Sequence, residues 1–247
     1  MDFSHCCAFI AVLCPRNGTL ALMTLELTDL RALIFDMDGT LIDTDDLHFA
    51  AYAEVFTDLG RSLERSEYDS RMSGRPNLEI LREYFPDESE AYHVEVMNRK
   101  EDTFRGSSAA WEPLRGLTEL LAWSRERGLG QALVTSAPRE NAAHLLAAVG
   151  LTGAFDPEVY ADELPRGKPD PLPYLTALEL LNISPARAVV FEDSLHGVTS
   201  GAGAGIFTVG MATTQSPEAL LEAGASLVIE DFNDPTLWAL LTPPVNS

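Results

Sequence analysis

Short apolar runs of strand length punctuate the chain at residues 32–35, 131–134, 188–191, 206–209 and 226–229, with a weaker candidate at Asp156 to Tyr160. Runs such as Ala32-Leu33-Ile34-Phe35 and Ala188-Val189-Val190-Phe191 do not alternate with polar residues, which suits strands covered on both faces, as in a parallel sheet. Between them lie segments of helical character. They span 117–127, Pro138 to Val149 with Gly150 at the end, a stretch opened by Asp170-Pro171 with Leu172, Leu175, Leu178 and Leu181, then 195–204 and 217–223. Proline at the start and glycine past the end are the usual helix boundaries. Strands separated by single helices predict right-handed crossovers and a doubly wound α/β core. Gly201, Gly203 and Gly205 alternate at the end of a helix rather than leading from a strand into one, so they predict close helix packing and not a dinucleotide loop.

One region breaks the alternation. Leu47, Ala50, Ala51, Val55 and Leu59 recur at three- and four-residue steps up to Gly60. Leu78, Ile80, Leu81 and Phe85 follow Pro76, and a third helical stretch covers Ser89 to about Phe104. Residues 45–110 therefore predict an all-helical insertion of three helices, a cap between the first two strands. The core domain is then 23–44 together with 111–247. Residues 1–22 are expected to be a disordered extension or a misread start, with Met23 beginning the domain.

Composition narrows the partners. The 247 residues include 38 acidic against 17 basic side chains, for a formal net charge of −21. Such a surface repels nucleic acid and anionic membranes, so neither is an expected partner, and an anionic substrate needs a local cation or a metal. The basic residues comprise fifteen arginines and two lysines, Lys100 and Lys168. Cys6, Cys7 and Cys14 are confined to the leader, which excludes a disulfide framework or thiol zinc site in the body. The apolar stretch between them is too short to span a bilayer and lacks a basic leader, so a cytoplasmic protein is expected. The oligomeric state is left open, with a monomer favoured.

The densest chemistry follows the first apolar run, in Phe35-Asp36-Met37-Asp38-Gly39-Thr40. Asp36 and Asp38 stand at the carboxyl edge of the predicted sheet, where open α/β folds bind ligands. Carboxylates this close repel each other unless a cation or proton intervenes. Three other segments bring polar groups to that edge: Thr135-Ser136, Glu192-Asp193-Ser194, and Lys168 in Gly167-Lys168-Pro169-Asp170-Pro171.

In this order the four segments resemble the motifs of the haloacid dehalogenase superfamily, in particular phosphatases and β-phosphoglucomutases with a small helical cap. The likeness runs from about Leu30 to Ile229. It implies that Asp36 is a nucleophile forming an aspartyl-phosphate, that Asp38 is the general acid and base, and that Thr135 and Lys168 hold phosphoryl oxygens. It implies a Mg²⁺ ion held by Asp36, the Asp38 backbone carbonyl and Asp193, with Glu192 bound directly or through water. The substrate-binding residues it implies are Gly39 and Ser136 beside the phosphoryl group, and His48, Arg75, Asn77 and Lys100 from the cap. Segment Ser73-Gly74-Arg75-Pro76-Asn77 resembles the substrate loop of these proteins.

The expected function is a Mg²⁺-dependent phosphatase for a small phosphorylated metabolite such as a sugar phosphate or phosphoglycolate. A sugar phosphomutase is the alternative. Asn77 stands where such mutases resemble one another in carrying an arginine, and the loop Ser136-Ala137-Pro138-Arg139 lacks their lysine, so hydrolysis is favoured. A dehalogenase would need neither Asp38 nor a metal. A phospho-accepting signalling module or a catalytically dead binding relative fits less well, given the 66-residue insertion and the filled catalytic positions.

Overall fold

The computed structural model describes residues 29–106 and 111–242. The expected leader, 1–22, lies outside the described residues. Six strands form one sheet: β1 (Ala32–Phe35), β2 (Gly130–Thr135), β3 (Glu158–Tyr160), β4 (Ala188–Glu192), β5 (Phe207–Met211) and β6 (Leu227–Ile229). Their order is β3-β2-β1-β4-β5-β6, and every pairing is parallel. The chain thus winds outward from β1 to β3, then returns to the other side of β1 and winds outward again. That reversal beside β1 is the topological switch point, where neighbouring connections leave in opposite directions and open a crevice.

Successive side chains of a strand point to opposite faces, and both faces are covered. Leu33 and Phe35 join Leu133, Val189 and Phe191 in one cluster, while Ile34 joins Ala132, Val134, Ala188 and Val190 in the other. Phe35 stacks on Phe191 with ring centroids 5.0 Å apart, directly beneath the crevice. The core helices are α5 (Leu117–Glu126), α6 (Arg139–Ala148), α7 (Leu172–Leu181), α8 (Leu195–Gly203), α9 (Pro217–Ala223) and α10 (Pro235–Leu241), numbered after the four helices of the insertion. At Gly201 a Cβ would stand 2.8 Å from Thr208 Oγ1 and 3.2 Å from Val190, so α8 crosses the sheet as closely as expected.

The insertion holds α1 (Asp45–Asp58), α2 (Arg65–Arg71), α3 (Asn77–Tyr84) and α4 (Glu90–Arg105), around a small core that includes Tyr52, Phe56, Tyr68, Leu81 and Val96. Four helices rather than three is a correction. Helix α2 reads Arg-Ser-Glu-Tyr-Asp-Ser-Arg, and with one apolar residue it carries no periodicity. Tertiary contacts support it instead: Tyr68 is buried, and Arg65 bonds Asp45 and Asp69. Two expected faces are also rotated. In α1 the buried residues are Ala51, Tyr52, Val55 and Phe56, leaving Ala50 exposed. In α7 they are Pro173, Tyr174, Ala177 and Leu178, and Leu175 is 42% exposed. In both, large aromatic side chains set the rotation, because they have most surface to bury. Helix α10, missing from the expected order, is capped by Asp234, which accepts from the Thr236 and Leu237 amides.

Among the described residues no helix is long and apolar enough to cross a membrane.

Candidate active site

Register assembles the core half of the site. Phe35 pairs with Phe191 on one side and Leu133 on the other, so Asp36, Glu192 and Val134 stand at one level across the three strands. Lys168, from the loop before α7, spans all three. Its Nζ donates to Asp36 Oδ1 at 2.6 Å, Glu192 Oε1 at 2.6 Å and the Val134 carbonyl at 2.9 Å. Glu192 is fully buried and its carboxylate is saturated. Tyr174 donates to Oε1 at 2.7 Å, and the Ser194 amide and hydroxyl both approach Oε2. Asp193 accepts from Thr214 at Oδ2 (2.6 Å) and from Thr40 at Oδ1 (3.4 Å). A Cβ at Gly39, where φ is +70°, would fall 2.2 Å from Asp193 Oδ2, so both the turn and the close approach require glycine.

One oxygen from each of Asp36, Glu192 and Asp193 lies within 4.8 Å of the others, which is a donor set for a hard cation. The electrostatics agree. Burial raises Asp36 to about 8, with the Glu192 and Asp38 charges adding to it and Lys168 opposing. Burial likewise raises Asp193, with the Asp36 and Glu192 charges adding to it. Burial alone would lower Lys168, yet the carboxylates of Asp36 and Glu192 outweigh it and hold the ammonium above its ordinary value. One lysine shared among three buried carboxylates leaves a local deficit of positive charge, which a divalent cation would fill.

Asp38 differs from Asp36. It is half-buried, and Thr44 Oγ1 donates to its Oδ1 at 2.8 Å while His48 Nε2 lies 3.3 Å from the same atom. Burial pushes Asp38 upward, but the His48 hydrogen bond and charge, with Thr44 and Lys100, bring it below the usual carboxylate value. The His48 ring stacks on Phe104 at 4.2 Å, and Lys100 Nζ lies 2.7 Å from its Nδ1. Lys100 is itself buried, its ammonium facing the Tyr52 ring and bonded to Glu101 Oε1 at 2.9 Å. Burial lowers Lys100, with Glu101 opposing.

The remaining expected residues distribute as follows. Thr135 is buried in the cleft wall and its Oγ1 accepts from the Ala137 amide at 3.0 Å, while Ser136 is exposed at the rim. Asn77 faces the cleft, accepting from Tyr52 OH at 2.6 Å and donating to Glu101 Oε1 at 2.6 Å. Arg75 also lines the cleft, but its Nη1 is engaged with Glu83 Oε2 at 2.9 Å and with the Arg71 carbonyl. Glu192 and Gly39 lie behind the cleft wall and shape it from beneath.

Several residues of the site carry no signal in the sequence pattern. Tyr174 looks like a core aromatic, and Thr214 lies 21 residues from the Asp193 that it bonds. Glu101 and Asn141 are the largest omission. Glu101 is buried beside the cleft, and its Oε2 accepts from Asn141 of α6, whose Oδ1 in turn accepts from Arg105. Their proximity to Lys100 and Arg139 in sequence is the one available hint.

The haloacid dehalogenase-like hydrolase family model matches residues 33–211. A phosphorylated carbohydrates phosphatase of Thermotoga maritima is 36% identical, over 81% of this chain and 94% of its own. The β-phosphoglucomutase of Bacillus subtilis is 29% identical, over 85% of this chain and 94% of its own. The crystal structure of CbbY from Rhodobacter sphaeroides in complex with phosphate superposes with a TM-score of 0.74 at 27% identity, covering 82% of this chain and 95% of that one.

Proposed function

The chain belongs to the haloacid dehalogenase-like hydrolase family as one of its phosphoric monoester hydrolases, and on that premise we propose a Mg²⁺-dependent phosphatase that hydrolyses a phosphorylated carbohydrate through a phosphoryl-Asp36 intermediate. The observation that carries this reading is the pairing of two unlike carboxylates on one turn. Asp36 is locked by Lys168 inside a cation-demanding cluster, while Asp38 is held apart by Thr44 and His48.

The residues suit distinct steps. Lys168 fixes one oxygen of Asp36, leaving the other for attack on phosphorus. Thr135 and the Lys168 ammonium stabilise the equatorial oxygens in flight. Asp38 delivers a proton to the departing alkoxide and then takes one from the water that opens the acyl phosphate. Its resting preference for the charged form is opposed by the arriving phosphate dianion, since like charges raise a carboxyl's proton affinity. His48 and Thr44 orient the carboxylate meanwhile. Mg²⁺, held by Asp36, Asp193 and the Asp38 backbone carbonyl, would neutralise the phosphate against the nucleophile. Glu192, with both oxygens already receiving protein donors, fits a water-bridged place better than a direct one.

The helical insertion, residues 45–110, acts as a cap that closes the cleft over the leaving group. Hydrolysis is favoured over phosphoryl migration because Asn77 is committed to Tyr52 and Glu101, and Arg75 to Glu83. Asp36→Asn tests the core of the proposal. Phosphate release from p-nitrophenyl phosphate and from a panel of sugar phosphates should be Mg²⁺-dependent in the wild type and fall at least about 1,000-fold in this folded variant. Retention of more than a few per cent would refute the assignment of the nucleophile.

A further inference from the structure

The far wall of the cleft, away from the carboxylate cluster, has an unusual charge balance. Among the described residues three Lys or Arg side chains line the cleft, and each is committed to carboxylates of the protein. Lys168 serves Asp36 and Glu192, Lys100 serves Glu101, and Arg75 serves Glu83. Among these three, no ammonium or guanidinium is without a carboxylate partner to await a second anion.

What the wall does offer is a set of donors and acceptors together. Glu101 receives Lys100 and Asn77 on one oxygen and Asn141 on the other. The two amides are held with Oδ1 accepting, Asn77 from Tyr52 and Asn141 from Arg105. An amide has two donor hydrogens and two acceptor lone pairs, and a carboxylate about four acceptor positions. Each amide therefore keeps a hydrogen and a lone pair, and Glu101 keeps an acceptor position. Hydroxyls, which both donate and accept, can use positions of either kind. An anionic group accepts only, and would sit against the Glu101 charge where water is largely excluded.

We propose that Glu101, held in place by Asn141 across the boundary between α4 and α6, is a specificity-determining residue that selects monophosphates with a neutral, hydroxyl-bearing leaving group and rejects those with a second negative charge. This deepens the phosphatase reading and rests on it. It also removes phosphoglycolate, whose leaving group carries a carboxylate, from the expected substrates.

Glucitol 6-phosphate and 6-phosphogluconate make the test, because they share a six-carbon polyol and a phosphate and differ at C1, alcohol against carboxylate. The kcat/KM of the full-length, Mg²⁺-supplemented enzyme should favour glucitol 6-phosphate by roughly 100-fold, the size expected for like charges a few ångströms apart at an intermediate dielectric. In Glu101→Gln, Lys100 loses its partner and becomes available to the carboxylate, so the preference should shrink at least about tenfold, through better use of 6-phosphogluconate. Glu101→Ala replaces it if the glutamine variant does not fold. A wild-type preference below tenfold, or a preference that a folded Glu101 variant leaves intact, overturns the inference. Failure to release phosphate from p-nitrophenyl phosphate would instead overturn the phosphatase reading beneath it.

Discussion

Gly197 stands in the first turn of α8, and alanine there should destabilise the protein although alanine is the better helix former. On propensity alone the change gains up to about 1 kcal/mol. The surroundings reverse the sign. A Cβ at Gly197 would lie 1.8 Å from Glu192 Oε1, 1.9 Å from its Cδ and 2.0 Å from Oε2. Glu192 is completely buried and cannot swing into solvent. Reaching ordinary contact would pull its carboxylate away from Lys168 Nζ and Tyr174 OH, bonded at 2.6 and 2.7 Å. Hydrogen bonds involving a charged group contribute about 1.5–3 kcal/mol each, and the ammonium would be left with a partner missing. Setting the loss of one to two such bonds against the propensity gain, we expect Gly197→Ala to cost about 2–4 kcal/mol. Urea unfolding measures it directly. Gly203→Ala, near the end of the same helix, is the control: its Cβ would meet Pro171 at 3.6 Å, an ordinary contact, and stability should stay within about 0.5 kcal/mol. In a Glu192→Ala background the Gly197→Ala cost should largely vanish, because the two residues are in contact. A Gly197→Ala protein as stable as wild type, or more so, would refute the reasoning.

Two further outcomes are expected. Asp36, raised to about 8 by burial chiefly, holds a proton in the folded state that the unfolded chain has released, between roughly pH 4 and pH 8. Stability of the chelated protein should therefore fall as pH rises through that window, and added Mg²⁺ should raise the melting temperature more at pH 8 than at pH 6; a flat or rising profile in EDTA would contradict this. Thr214→Val removes the hydroxyl that orients Asp193 at 2.6 Å, and should raise the Mg²⁺ concentration for half-maximal activity about tenfold or more, read from a metal titration of phosphate release.

The core of the site was legible because its residues are tied to the sheet. Asp36, Thr135 and Glu192-Asp193 each follow an apolar run, and a run of that kind announces both a buried strand and the position of its end. Lys168 could be added because a lysine is rare in this chain. His48 and Lys100 were reachable only through the resemblance, since a histidine and a lysine on helices read equally well as solvated residues. Glu101 and Asn141 were not legible. A glutamate inside Arg99-Lys100-Glu101-Asp102 looks like part of a charged helix surface, and only the packing of α4 against α6 buries it.

Local pattern determined the parallel α/β architecture, the helical insertion and the strand-end carboxylates, because hydrophobic periodicity and turn residues act over a few positions and are written where they act. Tertiary structure alone decided the rest. It set which face α1 and α7 bury, through the aromatic residues that had most surface to hide. It folded α2 without a periodic signal, by docking Tyr68 and Arg65. It also paired each of the three described Lys and Arg side chains of the cleft with carboxylates, an outcome that depends on distances between segments up to 132 residues apart. Such pairings leave no trace in spacing or composition, since charge interactions are governed by separation in space and by burial.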